Sequence, residues 1–320
     1  MKRRDFNAAL LAGTWAAAGA AGAEPQPTLS LVFVGDVMLA DGPGRVLRRG
    51  GNPFAPTAAL LAGADLRIAN LECVVARGGR ADDKPWTFRA DPRVLALLRR
   101  HVDAVSLANN HSGDFGREAF AEMLGALKAH GLPYFGGGHD LAEAHRPLIV
   151  ERRGLRLALL GYDEYFPRYF EAGHDHPGVA WSEDEQVVFD IRRARTTADL
   201  VIPFMHWGEE GRPTANERQR ALARLMIDAG ADAVVGTHPH IVQDVEFHRG
   251  KPIVYSLGNF VFDGFDRPEN NTGWVLRLEI GREGVRSLRR AVVRMDREGT
   301  PWPLGDETSL LPQTSPAAGR

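Results

Sequence analysis

Apolar positions in this chain fall into short blocks rather than long amphipathic stretches. Leu31–Val34, Leu66–Leu71, Val102–Ala108, Leu200–Met205 and Ala233–Gly236 are apolar runs with Gly, Pro, Asn or Asp at or soon after their ends. Each reads as a buried strand and its exit loop. Leu29–Gly35 extends the first of these, and Arg156–Leu160 is another run of the same kind. Trp274–Ile280 and Leu288–Val293 predict closing strands, and Val242–Phe247 with Pro252–Tyr255 predict a hairpin around Arg249-Gly250. Helical spacing predicts a short helix over Ala55–Ala62 and one opened by Asp91-Pro92 that runs through Arg100. A third, Arg117–His130, carries Phe120, Met123, Leu124 and Leu127 on one face and stops at Gly131. Glu183–Arg195 and Asn216–Ala229, stopped by Gly230, complete the set.

Strands alternate with helices through the middle of the chain and follow one another at its end. No internal repeat interrupts this order, so the pattern predicts one α/β domain. Ala76–Lys84 is a charged loop. Phe166–Val179 has aromatics and two histidines with little periodicity. It reads as a functional loop or lid, or as a loop whose aromatics pack on the body. Residues 300–320, rich in Pro, Ser and Gly, are expected to be a mobile tail after a domain spanning 24–299.

Composition narrows the picture. With 320 residues, 44% of them hydrophobic and 25% charged, the chain can bury one large core. A formal net charge of −2 implies no broad basic face, so nucleic acid is not an expected partner. The single cysteine, Cys73, excludes an internal disulfide. It reads as a small buried hydrophobe, with a thiolate ligand as the alternative. At the N-terminus, Lys2-Arg3-Arg4-Asp5-Phe6 precedes an Ala/Leu/Gly run that ends in Ala21-Gly22-Ala23. Residues 1–23 therefore read as a cleaved export signal, too short for a membrane span in the mature protein. The adjacent arginines point to twin-arginine export, with an ordinary Sec signal as the alternative. A periplasmic or extracellular protein with no stable membrane span after cleavage is expected.

The strand exits carry the candidate chemistry. They hold Asp36, Glu72, Asn109-Asn110-His111, His206, and His238-Pro239-His240. In open α/β sheets ligands collect at the carboxyl ends of strands. If these strands lie side by side, their exits reach one rim, and the donor set suits one or two divalent transition-metal ions such as Mn, Fe or Zn. Glu72 has apolar flanks, and a buried unpaired carboxylate costs several kcal/mol, so it needs a metal or a base as partner. Pro239 fixes the backbone so that the two flanking imidazoles can face one cavity. Glu210 reads as a holder of a substrate cation or of a ligand histidine, or as a loop salt bridge. Asn259 reads as a rim hydrogen bonder or a turn residue. Arg89 is either an anion clamp or a surface residue.

The motifs GDVML (35–39), NLE (70–72), SLANNHSGDFG (106–116), HWGEE (206–210), GTHPHIVQ (236–243) and YSLGNFVF (255–262) occur in this order. In this the chain resembles the CapA-type capsule-synthesis proteins, linked to poly-γ-glutamate and placed in the calcineurin-like metallophosphoesterase superfamily. The resemblance spans roughly residues 29–278. It implies an α-β-β-α sandwich, two sheets packed face to face between helices. It implies Asp36, Glu72, Asn110, His206, His238 and His240 as metal ligands and His111 as the acid that protonates a leaving group. Asp114 would orient His111, and Glu210 would complete the catalytic set. Met38 stands where the superfamily usually has a ligand histidine, and Glu72 where it usually has Asp; CapA-like sequences share both changes. The implied activity is an exported, metal-dependent hydrolase of phosphoesterase type, acting on an anionic polymer or phosphoester beside polymer-synthesis or export proteins. The alternatives are an amide hydrolase or transferase acting on γ-linked polyglutamate or cell wall, and a non-catalytic, metal-stabilised assembly subunit.

Overall fold

Leu31 and Phe33 pack toward one side of the first strand and Val32 and Val34 toward the other, and all four are buried. A strand covered on both faces reads as a continuous apolar run, which is why no alternation is visible in the sequence. The computed structural model describes residues 26–311. The expected export signal and residues 312–320 lie outside the described residues.

The first strand, Thr28–Val37, lies inside a nine-stranded mixed sheet. Leu66–Leu71 pairs parallel to it, followed by Ala104–Ser106 and Tyr134–Phe135. On the other side Thr272–Gly281 and Gly284–Met295 add antiparallel strands. The second sheet has six strands: Leu155–Asp163, Leu200–His206, Val234–Thr237 and Lys251–Val254 run parallel, and Leu148–Arg152 and Val245–His248 pair antiparallel at the edges.

The sheets pack face to face. Leu31, Phe33 and Ile68 meet Leu157, Leu159, Ile202 and Phe204 in one apolar layer. The Phe33 and Phe204 rings contact edge to face at 5.7 Å. Outside the first sheet, Val32 and Val34 share a core with the helices Leu95–His101 and Gly116–Ala129. The second of these buries the expected Phe120, Met123, Leu124 and Leu127. Outside the second sheet, Ala158 and Leu160 pack with the helices Asp184–Arg195 and Glu217–Ala229. The architecture is thus the expected α-β-β-α sandwich. Among the described residues no helix is long and apolar enough to cross a membrane.

Local signals worked where the chemistry is local. Asn216 caps its helix through a reciprocal box with Gln219. Arg249 (φ 52°) and Gly250 (φ 75°) make the hairpin turn in the left-handed region. Three expectations are corrected. The expected tail is ordered at its start: Pro301–Pro303 and Thr308–Ser309 pair with Gly284–Met295. An edge position tolerates both prolines because their missing N–H groups owe nothing to a ladder. The strand expected over Val102–Ala108 narrows to Ala104–Ser106, because Leu107 and Ala108 already lead into the exit loop. The strand ends also do not share one sheet's rim: three belong to the first sheet and two to the second.

Candidate metal centre

Both sheets present the carboxyl ends of their parallel strands to the same place. Asp36 comes from the end of Thr28–Val37, Glu72 follows Leu66–Leu71, and Asn110 and His111 follow Ala104–Ser106. His206 ends its strand, and His238 and His240 follow Val234–Thr237. Gly35 is required here because a Cβ would collide with the carbonyl oxygen of Gly258, whose close approach seats Asp36 beside Asn259.

Two groups of possible ligands result. Donor atoms of Asp36, Glu72 and His206 lie within 4.8 Å of one another, and so do those of Glu210, His238 and His240. The groups adjoin: His238 Nδ1 is 3.1 Å from His206 Nε2, and His240 Nε2 is 3.8 Å from Glu72 Oε1. Asn110 Oδ1 lies 2.7 Å from His206 Nε2. Every sequence-expected ligand is therefore in one cluster, and Glu210 stands with the histidines rather than with His111.

Electrostatics set this cluster apart. Asp36 and Glu72 are fully buried, and neither carboxylate oxygen of Glu72 has a hydrogen-bond partner. His238 Nε2 is likewise buried without a partner. Burial pushes the Asp36 carboxyl above its usual range, against the opposing pull of His240. It pushes Glu72 well above, with Asp36 adding like-charge repulsion. Burial and neighbouring imidazoles hold His206 and His238 well below the usual histidine range. Unpaired buried carboxylates cost several kcal/mol, and neutral imidazole is the ligating form. The orphaned oxygens, the unpartnered Nε2 and the mixed O/N donor set all fit divalent transition-metal ions.

The surrounding residues hold these side chains in place. Asn70 Nδ2 donates to Asp36 Oδ1 at 2.8 Å. Asn259 Nδ2 donates to the Asn270 carbonyl, so its Oδ1 accepts from His240 Nδ1 at 2.9 Å. That bond places the His240 proton on Nδ1 and leaves the Nε2 lone pair toward Glu72. His238 (φ 98°) and His240 (φ 55°) adopt left-handed backbone that side chains other than glycine rarely take. Such strain is stored at ligand-holding sites when the surrounding fold enforces it.

Beside the cluster lies a second arrangement. Asp114 Oδ2 is 2.8 Å from His111 Nδ1 and also accepts from Phe88 N. Lys84 Nζ is 2.6 Å from Asp114 Oδ1 and donates to the Asn110 carbonyl at 2.9 Å. Burial lowers the His111 pKa while Asp114 opposes that shift. Asn109 holds the turn: its Oδ1 accepts from His111 N and its Nδ2 donates to the Leu71 carbonyl. From the loop between Asp163 and Gly178, Tyr165 sets its ring edge-on to His238 at 4.9 Å, and the Tyr169 hydroxyl donates to the Asn110 carbonyl at 3.4 Å.

Several residues gave little or misleading signal in the sequence. Asn70 and Lys84 act across long stretches of chain, and only the NLE motif and the end of a charged loop marked their places. Arg89 bonds the carbonyls of Gly78 and Gly79 and lies over the Phe115 ring, so it is not directed at this cluster. Burial pushes the Cys73 thiol up to about 12, which fits a packed thiol rather than a thiolate ligand. Met38 is buried in the outer core of the first sheet, and its Sδ accepts from Ala40 N.

Comparison with known proteins adds a family. Residues 30–264 match the family described as "Bacterial capsule synthesis protein PGA_cap". The chain is 31% identical over 283 residues to "PGA biosynthesis protein CapA" of Bacillus subtilis (strain 168), covering 86% of this chain and 74% of that one. It is 30% identical over 315 residues to "Capsule biosynthesis protein CapA" of Bacillus anthracis, covering 92% and 75%. Among solved structures, a 5'-nucleotidase precursor from Thermus thermophilus aligns with a TM-score of 0.48 and 17% identity, covering 89% of this chain and 54% of that one. With most of its length matched, this chain belongs to the PGA_cap family of bacterial capsule synthesis proteins.

Proposed function

We propose that this chain is an exported, metal-dependent hydrolase of phosphoesterase type, acting on an anionic polymer or phosphoester. The observation that carries the reading is Glu72: a fully buried carboxylate with no hydrogen-bond partner, among histidines whose pKa values are held low. Asp36, Glu72, Asn110, His206, His238, His240 and Glu210 would hold one or two Mn, Fe or Zn ions. Such ions supply Lewis acidity and an activated water near neutral pH. The chain's own residues do the rest. Asp114 holds His111 through Nδ1, so His111 Nε2 is the atom that delivers a proton to the departing oxygen. Lys84 neutralises Asp114 and ties it to the Asn110 backbone. Tyr165 and Tyr169 narrow the mouth beside His238 and Asn110.

Elemental analysis of the purified protein, with hydrolysis of bis(p-nitrophenyl) phosphate, tests this reading. About one or two transition-metal ions per chain and metal-dependent turnover are expected. A chain that stays metal-free when offered Mn, Fe and Zn, with an unchanged melting temperature, defeats it. Metal without turnover favours the assembly-subunit alternative. Export is tested separately: replacing Arg3 and Arg4 by Lys should trap precursor inside the cell, and unimpaired export would indicate the Sec route.

A second reading of the same site is hydrolysis or transfer at an amide of γ-linked polyglutamate; the Bacillus subtilis relative is named for PGA biosynthesis. Release of shorter chains from that polymer, dependent on His111, distinguishes it.

A further inference from the structure

The strand-end cluster is almost sealed. Asp36, Glu72, His206 and His238 are at most 1% exposed, His240 is 4% exposed, and Asn110 and His111 are 7% exposed. Glu210 alone among the expected donors is exposed. Its carboxylate stands within 4.8 Å of the donor atoms of His238 and His240, so solvent meets the cluster on that side.

Another side is covered by residues 164–177, which run from the strand Leu155–Asp163 to the short strand Gly178–Val179. Tyr165 stands edge-on to His238, and the Tyr169 hydroxyl reaches the Asn110 carbonyl. Lys84 Nζ donates to that same carbonyl and, at 3.2 Å, to the Tyr169 hydroxyl. Two loops therefore meet over Asn110.

This segment is tied to a helix of each outer layer. Arg117, at the start of the helix Gly116–Ala129, donates through Nη1 to the carbonyls of Glu171, at 3.1 Å, and Pro177, and through Nη2 to that of Tyr169, at 3.3 Å. The same guanidinium lies over the Phe170 ring at 5.0 Å. Phe170 is buried against Phe120 and sits on Gly113, where a Cβ would collide with its ring. Gly113 belongs to the turn that carries His111 and Asp114, so the segment is seated on the turn that holds the expected acid. On the other side, Arg168 forms a paired contact with Glu171, both bonds at 2.6 Å, and reaches Glu183 at 2.8 Å, directly before the helix Asp184–Arg195. It also lies over the Trp181 ring at 5.1 Å. Guanidinium is a planar fork with donors in fixed directions, so three carbonyls on Arg117 set the path of the segment rather than merely attract it.

A bond inside a long chain can be cut only where the chain enters on one side and leaves on another. A terminal bond needs one opening.

We propose that residues 164–177 are a pinned roof, and that this roof makes the centre take a linear substrate by its end. Arg117 and Arg168 are then positioning residues that act through the roof and set which bond reaches His111. The end rule rests on the hydrolase reading; the pinning does not.

Hydrogen exchange read by mass spectrometry on the full chain tests the pinning without any turnover. Peptides covering 164–177 should be protected in wild type and should exchange on the order of tenfold faster in Arg117→Ala, because their opening becomes a local event. Arg117→Lys, which keeps the charge but not the fork, should fall between. Arg168→Gln tests the other tie and covers the case in which Arg117→Ala folds poorly. Equal exchange in wild type and both variants overturns the roof.

The end rule is tested on the Mn-loaded protein with two probes, a linear hexamer of glycerol phosphate and the same hexamer closed into a ring, which has the same bonds and no end. Wild type should shorten the linear form unit by unit and cut the ring on the order of a hundredfold more slowly. Arg117→Ala and Arg168→Gln should keep their metal and narrow that ratio by about tenfold. The ratio carries the test, since a merely structural loss lowers both rates alike. Ring cleavage at the linear rate, internal cuts in the linear form, or an unchanged ratio beside faster exchange overturns the end rule. So does turnover of bis(p-nitrophenyl) phosphate with the linear hexamer untouched, because then no chain end is admitted. No turnover of any substrate removes the hydrolase reading and the end rule with it, while slow exchange in wild type would keep the roof.

Discussion

The strand Leu155–Asp163 lies between two buried polar clusters that look alike in composition and differ in kind. On the outer side of the second sheet, Asp190 accepts from Tyr162 Oη at 3.0 Å and from Gln186 Nε2 at 2.7 Å, and lies 2.8 Å from His145 Nδ1. Both of its oxygens have partners. At the strand ends, Glu72 is as deeply buried and its two oxygens have none. A satisfied buried network supports the fold that surrounds it, while an unsatisfied one costs stability and persists when something else is to be held there. Histidine beside carboxylate therefore does not by itself mark a candidate metal site; here the unmet hydrogen-bonding capacity of Glu72 and His238 sets one apart.

Substitutions can break or sharpen this contrast. The largest effect is expected from His206→Ala, which should lose metal and fall to background turnover on every substrate, read by elemental analysis beside kinetics. Retained metal in that variant would remove His206 from the ligand set. Next comes His111→Ala. It should keep fold and metal but lose on the order of 10²–10⁴-fold in turnover, with a smaller loss on nitrophenolate esters, whose leaving group needs no proton. Parallel loss of metal would make His111 a ligand and undo its assignment as an acid.

The stability pair is the direct test of the comparison. Asp190→Ala should lower stability by about 2–4 kcal/mol, because it strands Tyr162, Gln186 and His145. Glu72→Gln should leave the metal-free protein at least as stable as its parent, since it removes a buried carboxyl group that has no hydrogen-bond partner and repels Asp36, and should shrink the rise in melting temperature on adding Mn or Zn. Thermal melts with and without metal read both. Equal destabilisation by the two variants would erase the distinction drawn between the clusters. The smallest effect is expected from Lys84→Met, about tenfold or somewhat more in turnover with metal retained, the usual cost of removing a residue that orients a functional group. Unchanged kinetics would leave Lys84 a surface anchor for the loop that carries Tyr169.

Much of the site was legible because most candidate ligands sit at or just beyond the end of an apolar run. Asp36, Glu72, His206 and His238 each follow, or end, a buried strand, and strand exits are where α/β folds place ligands. What stayed hidden was pairing over distance. Lys84 reaches Asn110 across 26 positions, and His240 reaches Asn259 across 19. No local pattern announces such a pair, since an isolated Lys or Asn is ordinary in any loop. Arg89 was ambiguous for the same reason: the loop carbonyls that claim its guanidinium are visible only once the chain has folded back.

The sequence by itself determined the strands, most helices, their stops and the candidate donor residues, because propensity, burial pattern and capping act over a few residues. Only the tertiary structure decided that two sheets, not one, contribute the donors, that Glu72 is left without a partner and Asp190 is not, and that Arg117 and Arg168 tie one loop to a helix of each outer layer. Those outcomes depend on which distant segments exclude water together, and a hydrogen bond or ion pair left unmade has no trace in the order of residues.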